Sequence, residues 1–391
     1  MHPLFAALFL FILLAPFPAS AISIPTVLVG NPGNANDPAD GDINFPGIQN
    51  YGAVPYLYRI GTHEVTVGQY TAFLNAVADA DPYFLYDQHM ATDNQVEGIS
   101  RSGAPGSYNY SVIGSADHPI GYVAWGSAAR FCNWLHNGQP TGAQALSTTE
   151  SGAYFLNGLG TSQFLGTVTR SAGATWFMPS ENEWYKAAYY QPASQGGDTD
   201  DYWLYPTRTN IQPYSDQPPG SDSPMQSNTA NFRLDDGLAN GYNDGYAVTG
   251  SDSFAGGQNY LTDVGAYTAA ASPSGAFDLG GNIYEMNDTP VVGGYKTARG
   301  GAWAWAPEFT SSNISYFGLD PRANNRDFGF RVATITGVPE PSTLALAAFG
   351  ALGLLIAARR MYGQSLSPTR PHDTGERWVK LASAAGPGFL R

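Results

Sequence analysis

Apolar residues fall at helical spacing in three stretches of this chain and alternate clearly in only one. In "THEVTVGQYTAFLNAV" Thr66 is followed three residues on by Gln69, and Tyr70, Phe73, Leu74 and Val77 then recur at i, i+3, i+4 and i+7. That is a capping box followed by one apolar stripe, so an amphipathic helix is expected after Thr66. A second helix is expected from about Ser127 to Asn137, where Ala128, Phe131, Cys132 and Leu135 share a face and Gly138 is placed to end it. A third begins at Ser180, with Glu183 completing a second capping box and Trp184, Ala187 and Ala188 on the buried face. "YLYRIGTHEVT" alternates as a strand does. Residues 22–55, with "NPGNANDPADGD", and residues 191–262 are rich in Gly, Ser, Asn, Asp and Pro and read as loops holding at most short strands.

The two ends carry a different pattern. Leu4 to Leu14 form an apolar run, and after Pro16 and Pro18 comes Ala19-Ser20-Ala21, which fits a secretory signal peptide over residues 1–21 cleaved after Ala21. Near the other end, Leu344 to Ala358 carry no charge and are followed by Arg359 and Arg360, the pattern of a single transmembrane helix with its arginines on the cytoplasmic side.

Composition sharpens this outline. Gly and Pro supply 74 of the 391 residues, so turns and long loops are expected in place of much regular structure. Residues 22–338 hold 29 acidic against 12 basic side chains, a net charge of −17 that repels nucleic acid phosphates, so nucleic acid is excluded as a partner. Cys132 is the only cysteine, so no intrachain disulfide and no cysteine metal cluster can form. Its place on the apolar face of the second helix favours a buried thiol over a nucleophile. "DPADGD" and "LDDGLANGYNDG" lack the EF-hand spacing and read as solvated loops. Glu181 and Glu183 at a helix start fit capping better than acid–base catalysis.

Five segments in order, "HEVTVGQYTAFL", "HPIGYVAWGSAARFCNWL", "WFMPSENEWYKAAYY", "GAFDLGGNIYEMND" and "RGGAWAW" with its partner "DFGFRVA", resemble the formylglycine-generating enzyme or sulfatase-modifying-factor family. The resemblance implies an α+β fold, a single irregular C-type-lectin-like domain of mixed α and β elements over residues 56–335, preceded by the loop-rich segment 22–55. Val338-Pro339-Glu340-Pro341-Ser342, the apolar span and the two arginines, residues 338–360, resemble a PEP-CTERM sorting signal. That implies an exported protein with an inner-membrane anchor, handled by an exosortase-type processing enzyme and associated with extracellular polysaccharide. Residues 361–391 would then be a cytoplasmic or disordered tail.

The same resemblance constrains the chemistry. The family's oxidase reaction needs two copper-binding thiolates, and the matching positions here are Trp305 and Thr310, so no copper is expected. His63, His89, His118 and His136 show no metal-ligand spacing. Arg299 and Arg331 are expected to form buried pairs with acidic residues. The resemblance also implies structural calcium, held by side-chain oxygens of Asp278 and Glu285 with the carbonyls of Gly281 and Ile283, and at a second site beginning at Asn231 and Phe232. The function expected is therefore a binding or structural module at the cell surface or in the matrix, its dense Trp and Tyr set suited to stacking sugars or peptides. The alternative is an oxidoreductase-like enzyme with reassigned chemistry.

Overall fold

The computed structural model describes residues 21–38, 50–158 and 162–335. The expected signal peptide through Ser20 and the sorting segment with Leu344 to Ala358 lie outside them. No helix among the described residues is long and apolar enough to cross a membrane.

Two four-stranded sheets organise the domain. The first contains β1 (Thr26–Val29), β2 (Tyr58–Gly61), β3 (Trp176–Phe177) and, from the far end of the domain, β8 (Ala333–Thr334). Its order is β1-β2-β8-β3, all antiparallel, with Ala333 opposite both Ile60 and Phe177. The segment before residue 56 is therefore part of this domain through β1. The second sheet holds β4 (Tyr284–Met286), β5 (Lys296–Arg299), β6 (Tyr316–Leu319) and β7 (Phe328–Phe330) in the order β6-β5-β4-β7. β4 runs antiparallel to β5 and parallel to β7, which sets Glu285 opposite Arg299 and Gly329.

Three helices match the expected periodicities. In α1 (Val67–Val77) the Thr66 hydroxyl accepts the Gln69 amide and the Gln69 side chain returns to the Thr66 amide. α3 (Glu181–Tyr189) has the same reciprocal cap between Ser180 and Glu183. α2 (Trp125–His136) begins two residues before Ser127, after the extended Ala124, which caps nothing with its side chain. Trp125 fixes this start instead: its indole nitrogen donates to the Asn287 carbonyl at 3.0 Å. Gly138, at φ +81°, ends the helix by donating to Leu135 O at 3.1 Å. Between α1, α2 and the second sheet Tyr70, Phe73, Phe131, Trp134 and Phe330 meet ring to ring, with centroids 5.3 to 6.5 Å apart. Burying each such side chain contributes about 1.5–3 kcal/mol.

The long segment 191–262 is irregular but pinned. Tyr214–Ser215 pairs with Thr229–Ala230, and Arg233–Asp235 with Asp244–Tyr246. In the exposed turn of the latter hairpin Asp235 and Asp236 accept the amides of Gly237 and Leu238 at 2.8 and 2.9 Å. Those carboxylates are spent on turn amides, as solvated loops require.

Candidate functional site

Beyond β5, Gly300 and Gly301 both take positive φ, +98° and +72°. A Cβ on Gly300 would lie 3.1 Å from the Leu279 carbonyl oxygen, and one on Gly301 3.2 Å from Phe309 backbone, so this tight reversal needs glycine twice. The reversal presents two indoles. Trp303 is buried flat against Tyr260, centroids 4.8 Å apart at 14°, and its amide donates to Asn282 O at 3.1 Å. Trp305 is 36% exposed, and its indole nitrogen donates to Asp327 Oδ2 at 3.0 Å. Thr310 is fully buried, donating its hydroxyl to Pro307 O at 2.7 Å while its carbonyl accepts from Tyr189. Thus the two residues that the resemblance sets at or near the copper-thiolate positions are an indole and a satisfied hydroxyl, neither of them a Cu(I) ligand.

Around Trp305 aromatic rings alternate with charged groups. Tyr284 lies 5.9 Å from Trp305 and 5.9 Å from Tyr316, a residue 38% exposed. The Tyr284 hydroxyl and Asp327 Oδ1 are both buried without a hydrogen-bond partner. Burial pushes the Tyr284 hydroxyl far up, and the Asp327 charge pushes it further. The Asp327 carboxyl is itself raised by burial, against the pull of the Trp305 bond and Arg326. Arg326 reaches Asp93 at 3.2 Å, Asp93 accepts the Tyr122 hydroxyl at 2.5 Å, and the Tyr122 ring stacks on His89 at 5.2 Å. Sequence reading marked Trp305 but missed Tyr284, Asp327, Asp93 and Tyr122 as parts of one face. The parallel pairing of β4 with β7, which brings Tyr284 beside Phe328, is not visible in the local pattern.

The residues expected to hold calcium are brought together but are not arranged as a cage. Glu285 is fully buried, and Arg331 grips both its oxygens through Nε and Nη2 while Trp184 donates to Oε2 at 2.7 Å. Asp278 Oδ2 accepts the Gly265 amide at 2.5 Å. The Phe232 carbonyl accepts Ser215 Oγ at 2.7 Å and Ala247 N at 3.3 Å. Ile283 is buried, its side chain beside Gly121 and Gly329. Asn231 and Gly281 belong to one junction, since the Asn282 amide donates to Asn231 O at 2.7 Å and a Cβ on Gly281 would strike that oxygen. One expected calcium ligand, Glu285, already carries a cation, since the Arg331 guanidinium is seated against both its oxygens. Among the described residues no three His, Cys, Asp or Glu side chains converge to hold a metal ion.

Sequence reading also missed the hub of this junction, Asn282. Its Oδ1 accepts from Asn231 Nδ2 and Thr262 N at 3.0 and 3.1 Å, and its Nδ2 donates to Glu64 Oε1 at 3.4 Å. The fully desolvated Glu64 is pushed well above the usual carboxylate range, first by burial and then by Asp278, and its Oε2 has no hydrogen-bond partner. Asp278, on the same junction, is raised by burial to about 6.

The remaining candidates are held in contacts within the domain. Arg299 pairs with Glu181, which also takes Asn287 and the Thr297 hydroxyl, so both expected arginine pairs form. Glu183 binds Arg170 in bidentate fashion at 2.6 and 2.9 Å. Cys132 is fully buried in α2, and burial pushes its thiol well up. His63 stacks on Phe277 at 5.6 Å and is lowered to about 4 by burial and then by Arg331; His136 bonds Thr175 at 2.8 Å. His118 sits 3.6 Å from Asp263, and burial lowers its ring.

Comparison with known proteins places these observations. Residues 24–335 match the sulfatase-modifying factor enzyme 1-like domain, and residues 337–360 match the PEP-CTERM protein-sorting motif. Similar solved structures include Treponema denticola variable protein 1, with 17% identity over 81% of this chain and 97% of that one at a TM-score of 0.45. Others are CarF, 17% identical over 80% and 99% at 0.46, and PvdO from Pseudomonas aeruginosa, 16% identical over 80% and 91% at 0.36. No curated protein matches the chain. The sorting motif is a recognition signal for exosortase processing and implies export. With most of its length matched, the chain belongs to the sulfatase-modifying factor enzyme 1-like family and carries a PEP-CTERM signal behind that domain.

Proposed function

We propose that this chain is a binding module of the cell surface or extracellular matrix, in which the face around Trp305 carries the function and formylglycine generation is absent. The observation that supports this most is the pair Trp305 and Thr310 at the thiolate positions, with the lone thiol of Cys132 sealed inside α2. Thiolate is both the copper ligand and the nucleophile, so a thiol held neutral by burial supplies neither. Exosortase handling would deliver the module to the surface, and the acidic ectodomain would keep it off anionic polymers.

The test is direct. Incubated with Cu(I), oxygen and a sulfatase-type cysteine peptide, the purified chain should leave the peptide's mass unchanged. Turnover to formylglycine that survives Cys132→Ala would overturn the proposal.

A further inference from the structure

We infer that the Trp305 face binds a neutral polysaccharide, with one sugar ring stacked on the Trp305 indole and a hydroxyl of that sugar seated between the Tyr284 hydroxyl and Asp327 Oδ1. This rests on the binding-module proposal above and names its ligand class.

Three features of the face select that chemistry. First, Tyr284 OH and Asp327 Oδ1 are buried without hydrogen-bond partners, and both border Trp305, one through its ring at 5.9 Å and the other through the 3.0 Å indole bond. A buried polar atom left unpaired is costly, and here a donor and an acceptor flank the same indole, close enough for the Asp327 charge to act on the Tyr284 hydroxyl. An alcohol hydroxyl satisfies both at once because it accepts from the phenol and donates to the carboxylate. A backbone amide N–H only donates, and a carboxylate only accepts. Second, residues Trp305 and Tyr316 are 36% and 38% exposed, on either side of Tyr284, and carry aromatic faces suited to the C–H side of a sugar. Third, the charges around this face include Asp327, Glu308, Asp93 and Asp87 against Arg326, with Arg233 paired to Asp252 and His89 bonded to Asp87. That excess of carboxylates repels uronate or sulfate polymers and leaves neutral ones favoured.

The shape agrees with a polymer. The clefts of about 690 and 290 Å³ lie elsewhere, beside His63 and Asp117 and beside Tyr83 and Arg130, and neither is lined by Trp305 or Asp327. An open aromatic face suits successive residues of an extended chain better than one enclosed small molecule. Because the two unpaired atoms are buried against Trp305, the hydroxyl enters as the indole yields, so tryptophan emission should report binding.

The experiment is titration of the full-length chain with soluble glucan, mannan and galactan, and with polygalacturonate as the anionic control, read by tryptophan fluorescence and by retardation in polymer-containing gels. Saturable binding to at least one neutral polymer is expected, with polygalacturonate at least about tenfold weaker. Trp305→Ala and Asp327→Asn should each weaken binding by about tenfold or more at unchanged melting temperature. Trp305→Phe keeps a stacking face and should restore most of the loss, which separates stacking from a general disturbance of the loop. No binding to any neutral polymer, preference for polygalacturonate, or equal loss in the Phe and Ala variants would each overturn the inference. A peptide bound in a Trp305-dependent manner would sink the saccharide assignment while leaving the binding module standing, whereas peptide oxidation would sink the module itself.

Discussion

Arg331 closes on Glu285 as a two-pronged ion pair with no solvent exposure on either side, and its third nitrogen donates to the Gly61 carbonyl at 2.9 Å. One side chain thereby joins β4 and β2, members of different sheets. Removing one partner leaves the other charge buried and uncompensated, so Arg331→Met should cost about 3–5 kcal/mol in denaturant unfolding. The double variant Arg331→Met/Glu285→Leu should cost clearly less than the two single changes added together. Strict additivity would show that the pair is not coupled.

The cluster beside that pair predicts an unusual dependence on pH. Asp278 has a native pKa of about 6, above its ordinary 3.8, chiefly through burial. The native state therefore binds the proton more tightly than the unfolded chain, and the stability it contributes is present at low pH and lost as pH rises toward 6. Asp278→Asn should raise stability at neutral pH by roughly 1–3 kcal/mol, with little effect at pH 4. Asparagine also tolerates the φ of +58° found here. Since Arg331 supplies the cation, melting should be indifferent to calcium and to chelator. A rise in melting temperature with calcium that Asp278→Asn abolishes would restore the ion to this site.

Cys132 should behave as a core residue. With the folded chain, a disulfide-exchange reagent should react far more slowly than with the urea-unfolded chain, because neither access nor thiolate is available. Fast labelling of the native protein would contradict its placement on the inner face of α2.

The sorting segment makes its own prediction. Deleting residues 339–391 should shift the protein from the membrane fraction to the soluble fraction while leaving its unfolding transition in place, because the matched domain ends at residue 335. Retention of the truncated chain on membranes would require a second anchor.

What could be read from sequence was local. The caps at Thr66 and Ser180 are built from residues three apart, and the apolar stripes of α1 and α3 follow from the same turns. The start of α2 was displaced because its anchor is a bond from Trp125 to Asn287, more than a hundred residues away. The partner of Glu285 was hidden for a related reason: Arg331 reaches it only through the pairing of two sheet strands. Asn282 was passed over although it follows two glycines and adopts φ +62°, a conformation that asparagine tolerates better than most residues. The partners that make it a hub, Asn231, Thr262 and Glu64, come from three distant segments.

The position of β8 has a mechanical consequence. This strand, Ala333–Thr334, is the last of the described domain before the sorting signal, yet it lies inside its sheet, bonded to β2 on one side and β3 on the other. Tension arriving from a tethered C-terminus must shear both ladders together, and two residues upstream it meets the arginine bonded to Gly61, Phe277 and Glu285. Any pull on the chain beyond Thr334 is thus taken up at a point where the strand cannot be peeled away from one side.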